Sequence, residues 1–337
     1  MVRIRSHRLF IAVLSLLLLW VGISPYGVSA QVPIQRSTQT NPVVEENSLP
    51  GTDSWQLAQP NIDFDGLMHM KGYTSPASIN IGEAINFHVH VSPAQPYTAH
   101  VYRIGWYNGL GARLVQTIGP LNGSPQTAPT IDQTTGMVQT DWTVSYTLDV
   151  PENWTSGIYL VKLENDSGYE NYMIFTVRDD ARRADFRYQH AVTTSQAYNN
   201  FPDDDTLGKS LYNYNSYGEN TALNGRKRAV KFSFDRPYSD TGEGLFFRWE
   251  FDLVQWLERE GYDVAYATNI DLHNNPDSIL NYSGFISAGH DEYWTKEMFD
   301  AAEAARDAGI HLAFAGANAV YWQSRLEDNN RTLVVYK

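Results

Sequence analysis

Three apolar runs in the C-terminal half of the chain end in residues that can do chemistry. "FISAGHDEYW" leads into Gly289-His290-Asp291-Glu292-Tyr293-Trp294. "LAFAGANAVYW" leads into Gly316-Ala317-Asn318 and then Tyr321-Trp322. "VAYATNIDLH" leads into Asn269, Asp271 and His273. A histidine supplies a proton acceptor near neutral pH, and a carboxylate two residues on can ligate a metal or take a proton. His290 and Glu292 are therefore the sharpest pair. Glycine or alanine just after a strand lets the backbone turn and leaves the next side chains at a crevice mouth. "TTSQAYNN" adds Gln196, Tyr198 and Asn199, and "KFSFDRPYSD" adds Asp235, Arg236 and Tyr238. No G-x-S-x-G elbow, P-loop, GxGxxG or H-E-x-x-H occurs, which leaves serine-hydrolase, nucleotide-binding and zincin readings without support. The nine histidines are scattered; His88 and His90 share one strand face and read as structural.

These residues need a sheet that presents strand ends together. Beyond a charged joint at "RDDARRAD", strand and helix patterns alternate. "FRYQHAVTT", "DVAYATN", "SGFISAGH" and "IHLAFAGANA" read as strands. "GEGLFFRWEFDLVQWLEREGY" contains a helix with Phe246, Phe247, Trp249, Leu253, Trp256 and Leu257 at helical spacing. "TKEMFDAAEAARDAG" is a second helix, capped by Thr295, with Met298 on its apolar face and Gly309 as its stop. Alternation of this kind predicts a mostly parallel, Rossmann-like or flavodoxin-like α/β domain over 185–337, with ligands at the carboxyl ends of its strands. Over 61–178 the grammar is instead short runs of period two: "INFHVHV", "AHVYRIGWY", "VQTDWTVSYTL", "GIYLVKLEN" and "YMIFTV". They predict an immunoglobulin-like antiparallel β-sandwich, making the chain a multidomain β plus α/β protein.

The 337 residues carry 25 Lys+Arg against 38 Asp+Glu, and no Cys. Zero cysteine excludes disulfide frameworks, thiolate zinc sites, iron–sulfur clusters and cysteine nucleophiles. The acidic balance argues against nucleic acid as a partner. Residues 1–30 combine Arg3, Arg5 and Arg8, an apolar run from Leu9 to Ile23 and a small-residue Val28-Ser29-Ala30 site. That is a cleavable signal peptide, which predicts a secreted or periplasmic protein with no membrane span after cleavage. Residues 31–60, rich in Gln, Asn, Thr, Ser and Pro, read as a disordered linker.

Through "SQAYNN", "SFDRPYSD", "WLEREGYDVAYATNIDLH", "SAGHDEYW" and "AFAGANAVYW", in that order, the sequence resembles the large (β) subunit family of N,N-dimethylformamidase. "VYRIGWYNGLGARLV" resembles the family's upstream β-domain. The resemblance implies an amidohydrolase for small amides, with a mononuclear, non-haem Fe(III) held by two tyrosines and a glutamate. Glu292 matches the carboxylate ligand. Tyr198 and Tyr238 are the choice for the phenolates, with Tyr212 of "SLY" in reserve. His290 and Asn318 match polar active-site positions, and Lys337 matches another. Phenolate and carboxylate are hard donors that suit ferric iron, and the chain offers no thiolate to compete. The family also implies a small partner subunit or a homo-oligomer. Two departures stand out: family members continue past the position of Lys337, where a further catalytic glutamate is expected, and this chain carries an export signal. A secreted or surface binding protein with a degenerate or truncated enzyme-like domain is the alternative, and a carbohydrate-active protein a third.

Overall fold

A computed structural model of the protein describes residues 41–218 and 227–337. The segment read as a signal peptide, residues 1–30, and the first part of the expected linker lie outside the described residues. The far part of the linker is not disordered. Asn41 caps a short helix, α1 (Pro42–Asn47), its side chain accepting from Val43 N. Val43 is fully buried, and Trp55 is nearly so, its Nε1 donating to Leu110 O at 2.9 Å. Two apolar residues in a polar stretch find a distant seat that local composition does not reveal.

Ten strands follow: β1 (Met70–Ser75), β2 (Ser78–Asn80), β3 (Ala84–Val91), β4 (Pro96–Ile104), β5 (Ala112–Asn122), β6 (Thr130–Ile131), β7 (Val138–Gln139), β8 (Tyr146–Asp149), β9 (Gly157–Asn165) and β10 (Glu170–Arg178). An antiparallel sheet β1-β3-β8 faces a five-stranded sheet β2-β10-β9-β4-β5, in which only the β2–β10 pair is parallel. Phe87, Tyr97, Val101, Tyr159 and Phe175 belong to the core of this part. Each such side chain contributes about 1.5–3 kcal/mol on burial. "VQTDWTVSYTL" does not form the single strand expected. It splits into β7 and β8, because Thr140 N is drawn to Asp235 O (2.8 Å) and Trp142 turns inward onto Tyr73. His88 and His90 are structural: His88 Nδ1 meets Trp142 O, and His90 Nε2 meets Met68 O.

The period-two expectation also fails in β9 and β10, which are buried almost without alternation. Their second face packs on the next part of the chain, where Leu160, Tyr172 and Ile174 join Tyr188, Phe246, Leu257 and Ile286 in one core. Strands covered on both faces lose alternation. A buried ion pair crosses the same boundary. Arg103 of β4 donates to both oxygens of Glu258, at 2.8 and 2.9 Å, with both side chains fully buried. Tyr266 Oη and Asn47 Nδ2 add a donor to each Glu258 oxygen.

The remaining elements are β11 (Phe186–His190), α2 (Val192–Tyr198), β12 (Lys231–Ser233), α3 (Phe246–Trp249), α4 (Phe251–Arg259), β13 (Val264–Thr268), α5 (Asn269–Asn274), β14 (Gly284–Gly289), β15 (Tyr293–Thr295), α6 (Lys296–Asp307), β16 (His311–Gly316), β17 (Trp322–Glu327) and β18 (Thr332–Val334). Four form an all-parallel sheet in the order β13-β11-β14-β16, and a mixed sheet runs β12-β18-β17-β15. The chain is thus a mixed, sheet-rich fold with few helices. Among the described residues no helix is long and apolar enough to cross a membrane.

Three expectations need adjustment or hold here. "FRYQHAVTT" is a strand only to His190 and then becomes α2. The helix around Phe246 is broken at Glu250 (φ −121°), which leaves Trp249 and Trp256 about two-fifths exposed rather than on the apolar face. Glu250 is buried and its carboxylate holds Tyr188 Oη and Ala191 N, so a tertiary contact replaces helical continuity. Helix α6 forms as expected: Thr295 accepts from Met298 N, and Met298 is buried.

Candidate active site

Strands β11 and β14 are neighbours in the parallel sheet, while the chain leaves β11 to one side for β13 and β14 to the other for β16. The crevice outside the carboxyl ends of such a pair is where open parallel sheets place ligands. Helix α2 follows β11 and ends at Tyr198, and the loop after β14 carries His290 and Glu292. Tyr198 Oη lies 3.0 Å from His290 Nε2 and 3.1 Å from Glu292 Oε2. Tyr212 Oη reaches the same Glu292 oxygen at 3.2 Å, and His290 Nε2 approaches it at 2.9 Å. Two phenols, an imidazole and a carboxylate thus converge on one point. The tyrosine rings sit 4.4 Å apart, and burial raises both phenols above their ordinary pKa. Tyr293 Oη stands 2.5 Å from Tyr212 Oη. Lys337 lies over the Tyr212 ring at 3.9 Å, with Nζ 3.4 Å from Tyr293 Oη.

The loop is aimed by alternation. His290 and Glu292, two apart, turn to the crevice, while Asp291 between them turns into the sheet. There its carboxylate accepts from Gln189 Nε2 (2.7 Å), Asn269 Nδ2 (2.7 Å) and Ser287 Oγ (2.9 Å). Glu292 N donates to Thr194 Oγ1, and Trp322 N donates to Glu292 O. His290 Nδ1 faces Ala317 O at 3.0 Å, so Nδ1 donates to that carbonyl and Nε2 is turned to the cluster. Gly289, at φ +69°, has no room for a side chain: a Cβ would stand 2.6 Å from Trp249 O. A Cβ on Gly316 would meet Gly289 O at 2.1 Å. The small residues at these strand ends are therefore required by close backbone approach.

The family model described as N,N-dimethylformamidase beta subunit-like, C-terminal, matches residues 98–337. The chain belongs to this family. No curated protein matches it. Among solved structures, similarity is found to the Pseudomonas fluorescens alkylpurine DNA glycosylase AlkC (14% identity, 33% of this chain, 30% of that chain, TM-score 0.20). It is also found to the cellulose-active LPMO CelS2 in complex with copper (23%, 30% of this chain, 50% of that chain, TM-score 0.20). A third is the superoxide reductase (neelaredoxin) from Ignicoccus hospitalis (11%, 32% of this chain, 82% of that chain, TM-score 0.18). At such TM-scores these likenesses do not define the fold.

Within this member of the dimethylformamidase-like family, the fold brings Tyr198, His290, Glu292 and Lys337 together. It does not bring Tyr238 to Glu292. Tyr238 packs against the core that holds Phe246, and the reserve, Tyr212, takes the place beside Tyr198. Asn318 is exposed on the turn after β16, at φ +55°. Two residues near the cluster carried no assigned role in the sequence. Tyr293 was visible within "GHDEYW". Trp249, whose ring lies 5.7 Å from His290, was hidden by its helical spacing. The "RPY" stretch acts through its arginine. Arg236 is buried and donates to the carbonyls of Asn199, Phe201 and Lys209, bracing the segment between the two tyrosines. Among the described residues, no three His, Asp or Glu side chains group as a metal site would need. The converging set is instead phenol-rich. It fits a hard cation, because one Glu292 oxygen stands beside the hydroxyl oxygens of Tyr198 and Tyr212.

Two consequences can be measured. Replacing Asp291 by Ala strands three buried donors, and chemical denaturation is expected to show a loss on the order of 3 kcal/mol. Beneath the site, His190 Nε2 and Glu250 Oε1 stand 3.8 Å apart, both buried. Burial pulls the imidazole of His190 down to about 3 and pushes the carboxyl of Glu250 up to about 8. The raised Glu250 pKa contributes stability that is complete below pH 4.5 and is lost as pH rises through about 8. Relative to Glu250→Gln, the wild-type unfolding free energy should fall by at most about 1.4 kcal/mol per pH unit across that window. The depressed His190 pKa acts in the opposite sense, its contribution being lost as pH falls from 6.5 towards 3.

Proposed function

We propose that this protein is an exported amidohydrolase that cleaves the C–N bond of a small linear amide, using a mononuclear Fe(III) held by Tyr198, Tyr212 and Glu292. The observation that carries this reading is the shared Glu292 oxygen, contacted by two tyrosine hydroxyls at 3.1 and 3.2 Å. The strand order places that point at the switch between β11 and β14, which supports a flavodoxin-like reading of the parallel sheet. The two facing sheets before it support an immunoglobulin-like reading of the first part.

Ferric iron at these oxygens supplies Lewis acidity towards an amide carbonyl. The residues themselves set up the rest. Tyr198 and Tyr212 would hold it as phenolates, each giving up its hydroxyl proton to do so. His290, with Nδ1 committed to Ala317 O, presents Nε2 to receive a proton and pass it to the departing amine. Lys337 sets its amine over the Tyr212 ring and within reach of the Tyr293 hydroxyl. Asn318, exposed at the mouth, offers an amide to orient substrate. The family name refers to a β subunit, which supports a small partner subunit, and the signal at residues 1–30 supports action outside the cytoplasm.

Reconstitution with ferric iron is expected to give a visible phenolate-to-iron band together with hydrolysis of formamide-type substrates. Glu292→Gln should lose both. A protein that stays colourless and metal-free after reconstitution refutes the proposal.

A further inference from the structure

Two large aromatic side chains stand open to water beside the tyrosine–glutamate cluster without a role in it. Trp249, 42% exposed, lies on the His290 side, with ring centroids 5.7 Å apart. Tyr214, 74% exposed, lies on the Tyr212 side, with ring centroids 5.3 Å apart. His290 and Tyr212 both reach one atom, Glu292 Oε2, so each exposed ring stands one residue away from that oxygen. Arg248 links the two. Its guanidinium sits over the Trp249 ring at 5.0 Å. Burial raises the Tyr214 phenol, and the charges of Arg248 and Glu292 also act on it. Tyr198, Tyr212 and Tyr214 form one aromatic row, so this surface is continuous with the site. Trp256, also exposed, lies elsewhere. It packs on Tyr262, which packs on Phe186 at the start of β11, whereas the cluster lies beyond that strand's end.

Small-molecule sites combine a few polar atoms that fix the ligand with aromatic surface that holds the rest of it. A planar ligand group gains most from such surface, through offset or edge contacts with centroids about 4.5–7 Å apart. A formamide carrying only methyl groups has no ring to offer. We propose, resting on the amidohydrolase reading of this site, that its substrate is an amide bearing an aryl group, held by Trp249 and Tyr214 while its amide group sits at the cluster. Hydrolysis then adds one water across the C–N bond and releases a carboxylic acid and an amine, one of which carries the ring away.

Calorimetric titration of the full chain as purified with formanilide, benzamide and N,N-dimethylformamide tests this. Saturable binding of an aryl amide is expected, with N,N-dimethylformamide weaker by roughly 10-fold or more. Tighter formanilide places the ring on the departing amine and tighter benzamide places it on the acyl side; both support the proposal. Trp249→Ala and Tyr214→Ala should each weaken aryl-amide binding by roughly 3- to 10-fold. Both side chains are exposed, so neither change should disturb the core. Trp249→Phe and Tyr214→Phe keep a ring and should retain most of the affinity. Trp256→Ala should bind as wild type does. Binding is read without turnover, which separates the two readings. A protein that binds aryl amides but takes up no iron refutes only the amidohydrolase reading. One that takes up iron and hydrolyses N,N-dimethylformamide with no preference for aryl amides refutes only the aryl assignment. Absence of saturable aryl-amide binding, equal affinity for N,N-dimethylformamide, undiminished binding in both alanine variants, or an equal loss in Trp256→Ala would each overturn the proposal.

Discussion

Tyr212→Phe is expected to remove ferric binding and amide hydrolysis together, while Tyr238→Phe leaves both nearly intact. The contrast tests the ligand assignment, because the family resemblance favours Tyr238 with Tyr212 in reserve, and local spacing does not settle between them. Tyr212 Oη is 3.2 Å from Glu292 Oε2, and its ring is packed on Tyr198. Tyr238 sits with Phe246 in the core that joins the two parts of the fold. Losing a partner outside the ligand set typically costs 10–100-fold in metal affinity, and loss of a ligand itself should exceed that. The visible band offers a readout besides activity: it should vanish in Tyr198→Phe and Tyr212→Phe and persist in Tyr238→Phe. Arg236→Met provides the complementary case. The phenols remain, but the carbonyls of Asn199, Phe201 and Lys209 lose their shared donor. Iron affinity should then weaken, with the band retained at saturating metal. A band that survives in Tyr212→Phe and disappears in Tyr238→Phe would reverse the assignment.

Glu258→Ala should destabilise the protein by about 3–5 kcal/mol, the usual cost of breaking a buried ion pair from one side. Arg103 would keep its charge at zero exposure and lose both carboxylate contacts. Tyr266 Oη and Asn47 Nδ2 would lose an acceptor as well. The pair Arg103→Met with Glu258→Met should cost less than Glu258→Ala, because no charge is left stranded. Urea unfolding of the single and double variants measures this directly. Gly105→Ala should act on the same contact, since its Cβ would stand 2.3 Å from Glu258 Oε2. This clamp ties β4 to α4, so its loss is expected to loosen the packing that also carries β11 and the site above it.

Much of this molecule was legible in the chain. The strands ending at Gly289 and Gly316 and helix α6 follow from local pattern, because apolar periodicity and capping are properties of short segments. His290 and Glu292 were legible for the same reason: residues two apart after a strand turn to one side. Other readings failed where distant contacts decide. Trp249 has helical spacing, yet the break at Glu250 turns it towards His290. Strands β9 and β10 lost their expected alternation because a second core covers them. Residues 42–55 looked like linker, yet Val43 and Trp55 find buried seats.

The family resemblance, and the expectation of hard oxygen ligands in a chain without cysteine, came from sequence alone. Which tyrosine stands beside Tyr198 was decided only by tertiary structure. Tyr212 lies in an irregular segment with no period to read, and its place is fixed by Arg236, which reaches in from outside that segment to hold its carbonyls. Spacing along a chain carries information where backbone geometry repeats, and here it does not.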